Sequence, residues 1–261
     1  MSALHYEMHG RGRDVVLLHG WSSNLGVWQE LAARLARRFR VIAIDLPGHG
    51  GSDWDPRAAS PAAQAWRVHE TLAPLTQRYS LLGWSLGGQL ALDLAAAMPA
   101  GIVRLVLVST TARFAAAKGW RCGTAPGLID RLAGRLLLEP ERAVDDFLAL
   151  QVRGLAPRTG ARARAQLRAA LERHGAPKPD ALASGLERLR QGDLRAGLPL
   201  VDVPVLVIAG QQDLVVRPAA SRALAEALPR GRFAEIRGAT HVPFLSHARQ
   251  FTELLTEFLR G

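Results

Sequence analysis

Two short apolar runs near the start of the chain are each followed by a turn sequence. Residues 15–18 read Val-Val-Leu-Leu before His19 and Gly20, and residues 41–44 read Val-Ile-Ala-Ile before Asp-Leu-Pro-Gly. A continuous apolar run of this length is typical of a parallel strand that is buried on both faces. Between the runs, residues 27–38 carry apolar side chains at helical spacing, which suits a crossover helix. The pattern predicts a β-α-β unit.

The same alternation continues toward the carboxyl end of the chain. Further apolar runs lie at residues 81–82, 102–108, 203–208 and 233–236, with helical stretches between them. Alternating strands and helices indicate a mostly parallel sheet that is covered by helices on both faces. We therefore expect an α/β protein.

The strand pattern is absent between residues 112 and 192. This segment contains helical stretches that are broken by glycine and proline. A helical insertion at the carboxyl ends of parallel strands, where such sheets bind ligands, suits a lid over a site. We expect a core made of residues 1–111 and 193–261, with a helical lid made of residues 112–192.

Composition favours a soluble, cytoplasmic protein. The 261 residues can bury a large core, and no apolar run approaches the roughly 20 residues that span a bilayer. The first ten residues show no export or organelle signal, and the single cysteine, Cys122, cannot form an intrachain disulfide. We expect no membrane association.

The net charge of +10 comes from 31 arginines and only two lysines. These residues are spread over the chain without a recognisable nucleic-acid motif or interleaved aromatic residues, so the charge does not predict nucleic-acid binding. An acidic protein partner explains the charge better.

One short motif points to nucleophilic catalysis. Residues 83–87 read Gly-Trp-Ser-Leu-Gly, directly after an apolar run and before a helix-like stretch. A serine on such a strand-to-helix turn stands clear of its neighbours, and the flanking glycines avoid collisions with the adjoining strand and helix. The motif predicts a nucleophile elbow with Ser85 as the nucleophile of a serine hydrolase.

A serine nucleophile needs a base and an acid that orients the base. In the α/β-hydrolase arrangement the acid and the base follow late strands, in that order. Asp213 follows one late run and His241 follows the last one. Asp213 could alternatively cap the next helix, and Asp193 and Asp202 are weaker rivals because both precede the strand. His49 lies in a loop near the rim and is interpreted as a turn residue.

The oxyanion formed during acyl transfer needs two N–H donors. We expect the Leu86 amide, after the nucleophile, and the Trp21 amide, in the His19-Gly20-Trp21 turn that follows the first strand. The alternative for this turn is a plain tight turn. A serine in the elbow favours ester, thioester or acyl-transfer chemistry over dehalogenases and epoxide hydrolases with an aspartate nucleophile, and over dienelactone hydrolases with a cysteine. No motif predicts a metal or a cofactor.

Five sequence segments together resemble one family. They are His-Gly-Trp at 19–21, Asp-Leu-Pro-Gly at 45–48, Gly-Trp-Ser-Leu-Gly-Gly at 83–88, Phe-Leu-Ala-Leu-Gln at 147–151 and His-Val-Pro-Phe-Leu-Ser-His at 241–247. They are similar to the pimeloyl-acyl carrier protein methyl ester esterases of biotin synthesis, members of the α/β-hydrolase fold.

This resemblance implies hydrolysis of the methyl ester of pimeloyl-acyl carrier protein to a free carboxylate and methanol. It implies a triad of Ser85, Asp213 and His241, with Trp21 and Leu86 binding the oxyanion. It also implies an acyl site lined by one run of lid residues, namely Phe147, Leu148, Ala149, Leu150 and Gln151. These residues could equally pack the lid on the core.

An acidic carrier protein that presents its acyl chain on a phosphopantetheine arm suits a cationic lid. Candidate docking residues are the lid arginines Arg153, Arg158, Arg162, Arg164 and Arg168, which could instead form an ordinary solvated helix face. Asp145 and Asp146 depart from this basic character.

Two other functions remain open at this point. One is a short-chain carboxylesterase or thioesterase of broad specificity, which would use the same catalytic residues. The other is a non-catalytic receptor that keeps the fold and uses its pocket only for binding.

Overall fold

A single sheet of seven strands organises the chain, and the computed structural model describes residues 3–261 apart from the side chain of Pro126. The strands are β1 (Tyr6–His9), β2 (Arg13–Leu18), β3 (Phe39–Ile44), β4 (Tyr79–Trp84), β5 (Ile102–Val108), β6 (Val205–Gly210) and β7 (Gly231–Ile236). Their order across the sheet is β1-β3-β2-β4-β5-β6-β7, and only β1 is antiparallel to its neighbour. The predicted α/β class with a mostly parallel sheet is confirmed.

The central strands are apolar on both faces because helices cover both faces. In β2, Val15 and Leu17 belong to the core on one side of the sheet, whereas Val16 and Leu18 belong to the core on the other. All four are at most 1% exposed. This double burial explains why the strands appear in the sequence as continuous apolar runs.

The helices fall into two groups. Those that cover the sheet are α1 (Gln29–Leu35), α2 (Pro61–Leu72), α3 (Leu86–Ala97), α8 (Pro218–Ala227), the short α9 (Pro243–Ser246) and α10 (Ala248–Arg260). The insertion between β5 and β6 contains α4 (Pro126–Leu138), α5 (Pro140–Val152), α6 (Pro157–His174) and α7 (Pro179–Gln191). Each insertion helix begins at a proline, whose fixed φ and missing N–H suit the first helical position.

Several local predictions differ from the structure. The expected helix over 27–38 is a 3₁₀ turn, Leu25–Trp28, followed by the shorter α1. The strand expected from residue 203 begins at Val205, after Pro204, which has no N–H for a ladder. Strand β1 carries no apolar run, since it is a partly exposed edge strand, and the sequence pattern missed it.

Among residues 3–261, no helix has the length and apolar character that crossing a membrane requires.

Candidate active site

Ser85 sits in the sharp turn between β4 and α3. Its backbone adopts φ 54° and ψ −115°, a conformation that costs a residue with a Cβ on the order of 1–3 kcal/mol. A Cβ at Gly83 would overlap the backbone of Gly87 and Gly88, and one at Gly87 would overlap the carbonyl of His19. The glycines therefore let the turn close, and the turn places Ser85 at the amino end of α3.

Asp213 and His241 meet at the carboxyl ends of β6 and β7. Nδ1 of His241 lies 2.9 Å from Oδ2 of Asp213, and both side chains are almost completely buried. The other carboxylate oxygen, Oδ1, accepts the N–H groups of Val215 at 2.8 Å and Val216 at 2.9 Å. Asp213 therefore holds the following loop and orients the imidazole, whereas the alternative that it caps the next helix is wrong, since α8 begins at Pro218 without a side-chain cap.

This contact determines which nitrogen of His241 is free to act. Since an ionised carboxylate only accepts hydrogen bonds, Nδ1 is the protonated nitrogen and Nε2 carries the lone pair. Nε2 is buried and makes no hydrogen bond within residues 3–261. The arrangement leaves His241 with an unoccupied acceptor, which is the state that a general base requires.

Trp84 connects the elbow to His241. Its indole N–H donates to the carbonyl of His241 at 2.9 Å, and the two ring centroids are 5.5 Å apart. Phe147, which lines a cavity together with Ser85, lies with its ring centroid 6.5 Å from that of His241. Ser85 and His241 thus lie at the same end of the sheet without a hydrogen bond between Oγ and Nε2.

The rival acids and the extra histidine have other contacts. Asp193 accepts hydrogen bonds from Arg195 and Arg113, and these hold the pKa of its carboxyl well below its usual range. Asp202 is exposed before β6. His49 is a buried turn residue whose ring faces His19, and burial lowers the pKa of His49 to about 3.

The two amides that we expect to bind the oxyanion are both free to donate a hydrogen bond. Within the described residues, neither the Leu86 amide nor the Trp21 amide donates a hydrogen bond to another protein group. The turn that carries Trp21 packs on the elbow, since a Cβ at Gly20 would lie 3.0 Å from the ring of Trp84. The indole N–H of Trp21 donates to the carbonyl of Leu182 in α7 at 2.9 Å, which joins this turn to the insertion.

A cavity of about 520 Å³ opens at Ser85. Its wall is mostly apolar and includes Phe147 and Leu150 of α5 and Leu186 of α7. At least one seven-carbon acyl chain fits a space of this size and character. Ser85 therefore opens into an apolar cavity, and Phe147 in the wall of that cavity lies beside the ring of His241, an arrangement that suits acyl transfer.

Comparisons with known proteins identify the family of the chain. Residues 15–248 match the family model described as alpha/beta hydrolase fold. The chain is 37% identical to a pimeloyl-acyl-carrier protein methyl ester esterase of Nitrosomonas europaea, covering 96% of this chain and 97% of the relative. It is also 37% identical to the esterase of the same name from Stenotrophomonas maltophilia strain R551-3, covering 99% and 97%.

The chain belongs to the pimeloyl-acyl-carrier protein methyl ester esterases of the α/β-hydrolase fold. Solved structures share this fold. An enol-lactonase from Burkholderia xenovorans LB400 matches with a TM-score of 0.82 and 28% identity over 99% of this chain and 96% of that one. An esterase from Exiguobacterium antarcticum has a TM-score of 0.88 at 24% identity, over 99% of this chain and 96% of that one.

Only part of the acyl site expected for this family lines the cavity. Phe147 and Leu150 do. Leu148 packs instead in the core beneath the insertion, and Ala149 is half-buried outside the cavity wall. Gln151 is completely buried, and its carbonyl accepts the N–H of His241 at 3.2 Å. Because successive residues on a helix point about 100° apart, five consecutive residues of α5 cannot all face one pocket.

Helix α4 contributes a large share of the wall, and the sequence analysis did not single it out. The additional lining residues are Phe114, Leu128, Ile129, Arg131, Leu132, Arg135, Leu138, Glu139, Asp146, Leu189 and Val215. The signal available in the sequence was the helical spacing of Leu128, Ile129 and Leu132. Spacing identifies the apolar face of α4 but not what that face covers.

The expected docking arginines are not equivalent. Arg162 pairs with Glu30 at 3.1 Å and Arg168 pairs with Asp145 at 2.6 Å. Arg164 is half-buried, whereas Arg153 and Arg158 are exposed and form no ion pair within residues 3–261.

The acidic pair on α5 is explained by its basic partners. Asp145 contacts Arg168 of α6, and Asp146 contacts Arg135 of α4. The two carboxylates therefore tie α5 to the helices on either side of it.

Proposed function

We propose that the chain is a serine carboxylesterase that hydrolyses the methyl ester of pimeloyl-acyl carrier protein, giving the free carboxylate on the carrier and methanol, in biotin synthesis. The observation that carries the proposal is Nε2 of His241, which has no hydrogen-bond partner within residues 3–261: Asp213 orients the imidazole, and its ring lies beside Phe147 of the cavity that opens at Ser85. The substrate follows from the relatives, which bear this name over nearly the whole chain. The reaction belongs in the cytoplasm, with acyl carrier protein as the partner.

In the first half-reaction Nε2 of His241 takes the hydroxyl proton of Ser85, and Oγ attacks the ester carbonyl. The negative charge on the carbonyl oxygen is stabilised by the N–H groups of Trp21 and Leu86, each worth on the order of 100-fold or more in rate. The tetrahedral intermediate then collapses, the C–OCH₃ bond breaks, and His241 returns the proton to the leaving methoxide. Methanol departs and the acyl chain remains on Ser85.

In the second half-reaction water replaces methanol. His241 accepts a proton from water, the resulting hydroxide attacks the acyl-enzyme carbonyl, and the same two amides hold the oxyanion. The bond to Oγ breaks, and the proton on His241 returns to Ser85. The product acid then loses its proton to solvent, and the resulting carboxylate lies beside an apolar wall that solvates charge poorly, which favours product release.

The shape of the cavity suggests how the acyl chain is oriented relative to Ser85. The reacting ester lies at Ser85, and the chain runs along the apolar wall toward the mouth, where Arg131, Arg135 and Leu138 lie. Leu138 is 84% exposed. The thioester and the carrier arm therefore leave between α4 and α5.

Two kinetic comparisons test the assignment. We expect kcat/KM for pimeloyl-carrier methyl ester to exceed that for p-nitrophenyl butyrate, because only the carrier substrate occupies both the cavity and the mouth. Equal or better efficiency on the free ester would identify a broad carboxylesterase instead. A thioesterase would release the acyl chain from the carrier, and mass spectrometry of the carrier distinguishes this from loss of the methyl group.

The remaining alternative is a receptor without catalysis. A fluorophosphonate reacts covalently with an activated serine, so we expect labelling of the protein at Ser85. Absence of labelling together with tight binding of the ester would favour the receptor. Growth of a biotin auxotroph that lacks the esterase, when supplied with this chain, tests the pathway in cells.

A further test concerns the surface of this chain that we expect to bind the carrier protein. We expect Arg153→Ala with Arg158→Ala to raise KM for the carrier ester at low salt and to leave p-nitrophenyl butyrate turnover unchanged, because both residues are exposed and form no ion pair within residues 3–261. Arg162→Ala is the matched change, on the same helix as Arg158, in an arginine already held by Glu30. The effect should shrink at 1 M salt, where the Debye length is roughly 3 Å. An equal KM for all variants would place the carrier elsewhere.

A further inference from the structure

His19 is a completely buried residue outside the expected triad. It follows β2 and lies in the turn that carries Trp21. The N–H of Leu46 donates to Nε2 of His19 at 2.9 Å, and Nδ1 of His19 lies 2.9 Å from the carbonyl oxygen of Gly20. Both ring nitrogens are therefore used.

The two contacts fix the tautomer of His19. A backbone N–H only donates, so Nε2 must carry a lone pair, and the proton of the neutral ring lies on Nδ1. Nδ1–H then donates to the Gly20 carbonyl, which can only accept. Burial lowers the pKa of His19 and so favours this neutral form.

The Gly20 carbonyl and the Trp21 amide belong to one peptide unit. That unit is planar and trans, so the C=O and the N–H point in opposite directions. A hydrogen bond that holds the carbonyl on one side therefore directs the N–H to the other side. The N–H of Ser23 also reaches this carbonyl, but at a longer 3.3 Å.

The turn that contains this peptide unit packs on the elbow. A Cβ at Gly20 would meet the ring of Trp84, and one at Gly87 would meet the carbonyl of His19. Gly20 and the preceding His19 carbonyl thus contact Trp84 and Gly87, the two residues that flank Ser85 and Leu86. Within residues 3–261 the Trp21 N–H, next in the chain, forms no hydrogen bond, and neither does the amide of Leu86.

We propose that His19 is a positioning residue for the oxyanion site: its Nδ1–H holds the Gly20 carbonyl and thereby aims the Trp21 N–H at the developing negative charge. The inference rests on the proposed function, since it assigns the Trp21 amide to the oxyanion. Asp45 lies on the other side of the ring, where its Oδ1 is 4.0 Å from Nε2 of His19 and accepts the N–H of Leu25 at 2.7 Å.

Two substitutions separate the two hydrogen bonds of His19. In His19→Asn, the side-chain amide nitrogen occupies the place of Nδ1 and can still donate to Gly20, while Leu46 loses its acceptor. In His19→Gln, the side-chain oxygen reaches the place of Nε2 and can still accept from Leu46, while Gly20 loses its donor. Each variant removes one buried hydrogen bond, so both should lose a similar amount of stability.

Their activities should differ. With p-nitrophenyl butyrate we expect His19→Gln to lower kcat about 10-fold or more with KM nearly unchanged, since loss of an oxyanion donor costs about 100- to 1,000-fold. We expect His19→Asn to retain most of kcat. The rate of fluorophosphonate labelling should follow kcat, because that reaction uses the same oxyanion site. Equal kcat in the two variants, or losses that follow only the melting temperatures, would overturn the proposal.

A measurement on the unaltered protein covers the case in which neither variant folds. Nitrogen-15 NMR of labelled histidines reports which ring nitrogen is protonated, and we expect His19 to carry its proton on Nδ1. A proton on Nε2 would overturn the proposal. The simple ester and the NMR readout do not involve the carrier, so a wrong carrier substrate would leave this inference standing, and a failed His19 test would leave the proposed function standing.

Discussion

The indole N–H of Trp84 donates to the main-chain carbonyl of His241 at 2.9 Å, linking the residue before the nucleophile to the expected base. Trp84 is one residue from Ser85, and its side chain is 1% exposed. The bond therefore fixes the loop that carries His241 relative to the elbow, inside a region that excludes water.

We expect Trp84→Phe to lower kcat and to destabilise the protein by about 1–3 kcal/mol beyond its packing cost, because a buried carbonyl loses its donor. Trp28→Phe is the matched control. Trp28 lies in the same core, 6.3 Å from Trp84 between ring centroids, and its indole N–H already lacks a partner among the described residues. Steady-state kinetics and urea unfolding give kcat and stability for both variants. Similar losses of kcat in Trp84→Phe and Trp28→Phe would argue against a role of the Trp84–His241 hydrogen bond in catalysis.

Removal of the Ser85 hydroxyl should abolish turnover without unfolding the chain. We expect Ser85→Ala to lower kcat by about 10⁴-fold or more and to prevent fluorophosphonate labelling. Ser85→Gly should be as inactive but more stable than Ser85→Ala by about 1 kcal/mol, since glycine relieves the strain at φ 54°. Retained turnover in either variant would exclude Ser85, and a less stable glycine variant would contradict the strain argument.

Asp213 should be needed for the tautomer of His241. We expect Asp213→Asn to lower kcat by about 10⁴-fold, because an amide in place of Oδ2 no longer favours the proton on Nδ1. Asp193→Asn tests the rival acid and should leave kcat unchanged, since Asp193 pairs with Arg113 and Arg195. Steady-state kinetics on p-nitrophenyl butyrate are sufficient. A larger loss for Asp193→Asn would reverse the assignment.

Acid should destabilise the protein through His49. Burial, with a contribution from the neighbouring His19, lowers the pKa of His49 to about 3, whereas the unfolded value is about 6.5. Between these values the unfolded chain binds a proton that the folded chain does not, so stability falls as pH decreases from about 6.5 toward 3.

His49→Asn should reduce this acid sensitivity. Nδ1 of His49 lies 3.0 Å from the Pro47 carbonyl, a contact that the asparagine amide can reproduce without a titrating group. Urea unfolding at pH 7.5 and pH 5 gives the difference for each protein. The same pH dependence in both would show that other groups are responsible, and some dependence should remain from the buried His19.

The candidate site was predictable where chemistry depends on residue type and chain order. Ser85 is marked by its flanking glycines, and Asp213 and His241 each follow the end of a strand; parallel strands bring such positions to one edge of a sheet. Leu148 was not predictable in the same way. It belongs to a motif of five consecutive helical residues, and because each of these side chains points in a different direction, only some of them can face the cavity. The contribution of α4 to the cavity could not be predicted, since an apolar helix face does not identify its partner.

The sequence by itself determined the α/β class, the parallel sheet and the residue types available for catalysis, because burial on both faces and tight turns leave marks on adjacent residues. Only the tertiary structure decided that Asp213 uses one oxygen for its loop and the other for His241, that α5 presents Phe147 and Leu150 but not Leu148 to the cavity, and that His19 holds the Gly20 carbonyl. These contacts join residues on separate elements, and their geometry depends on how the elements pack rather than on any local pattern.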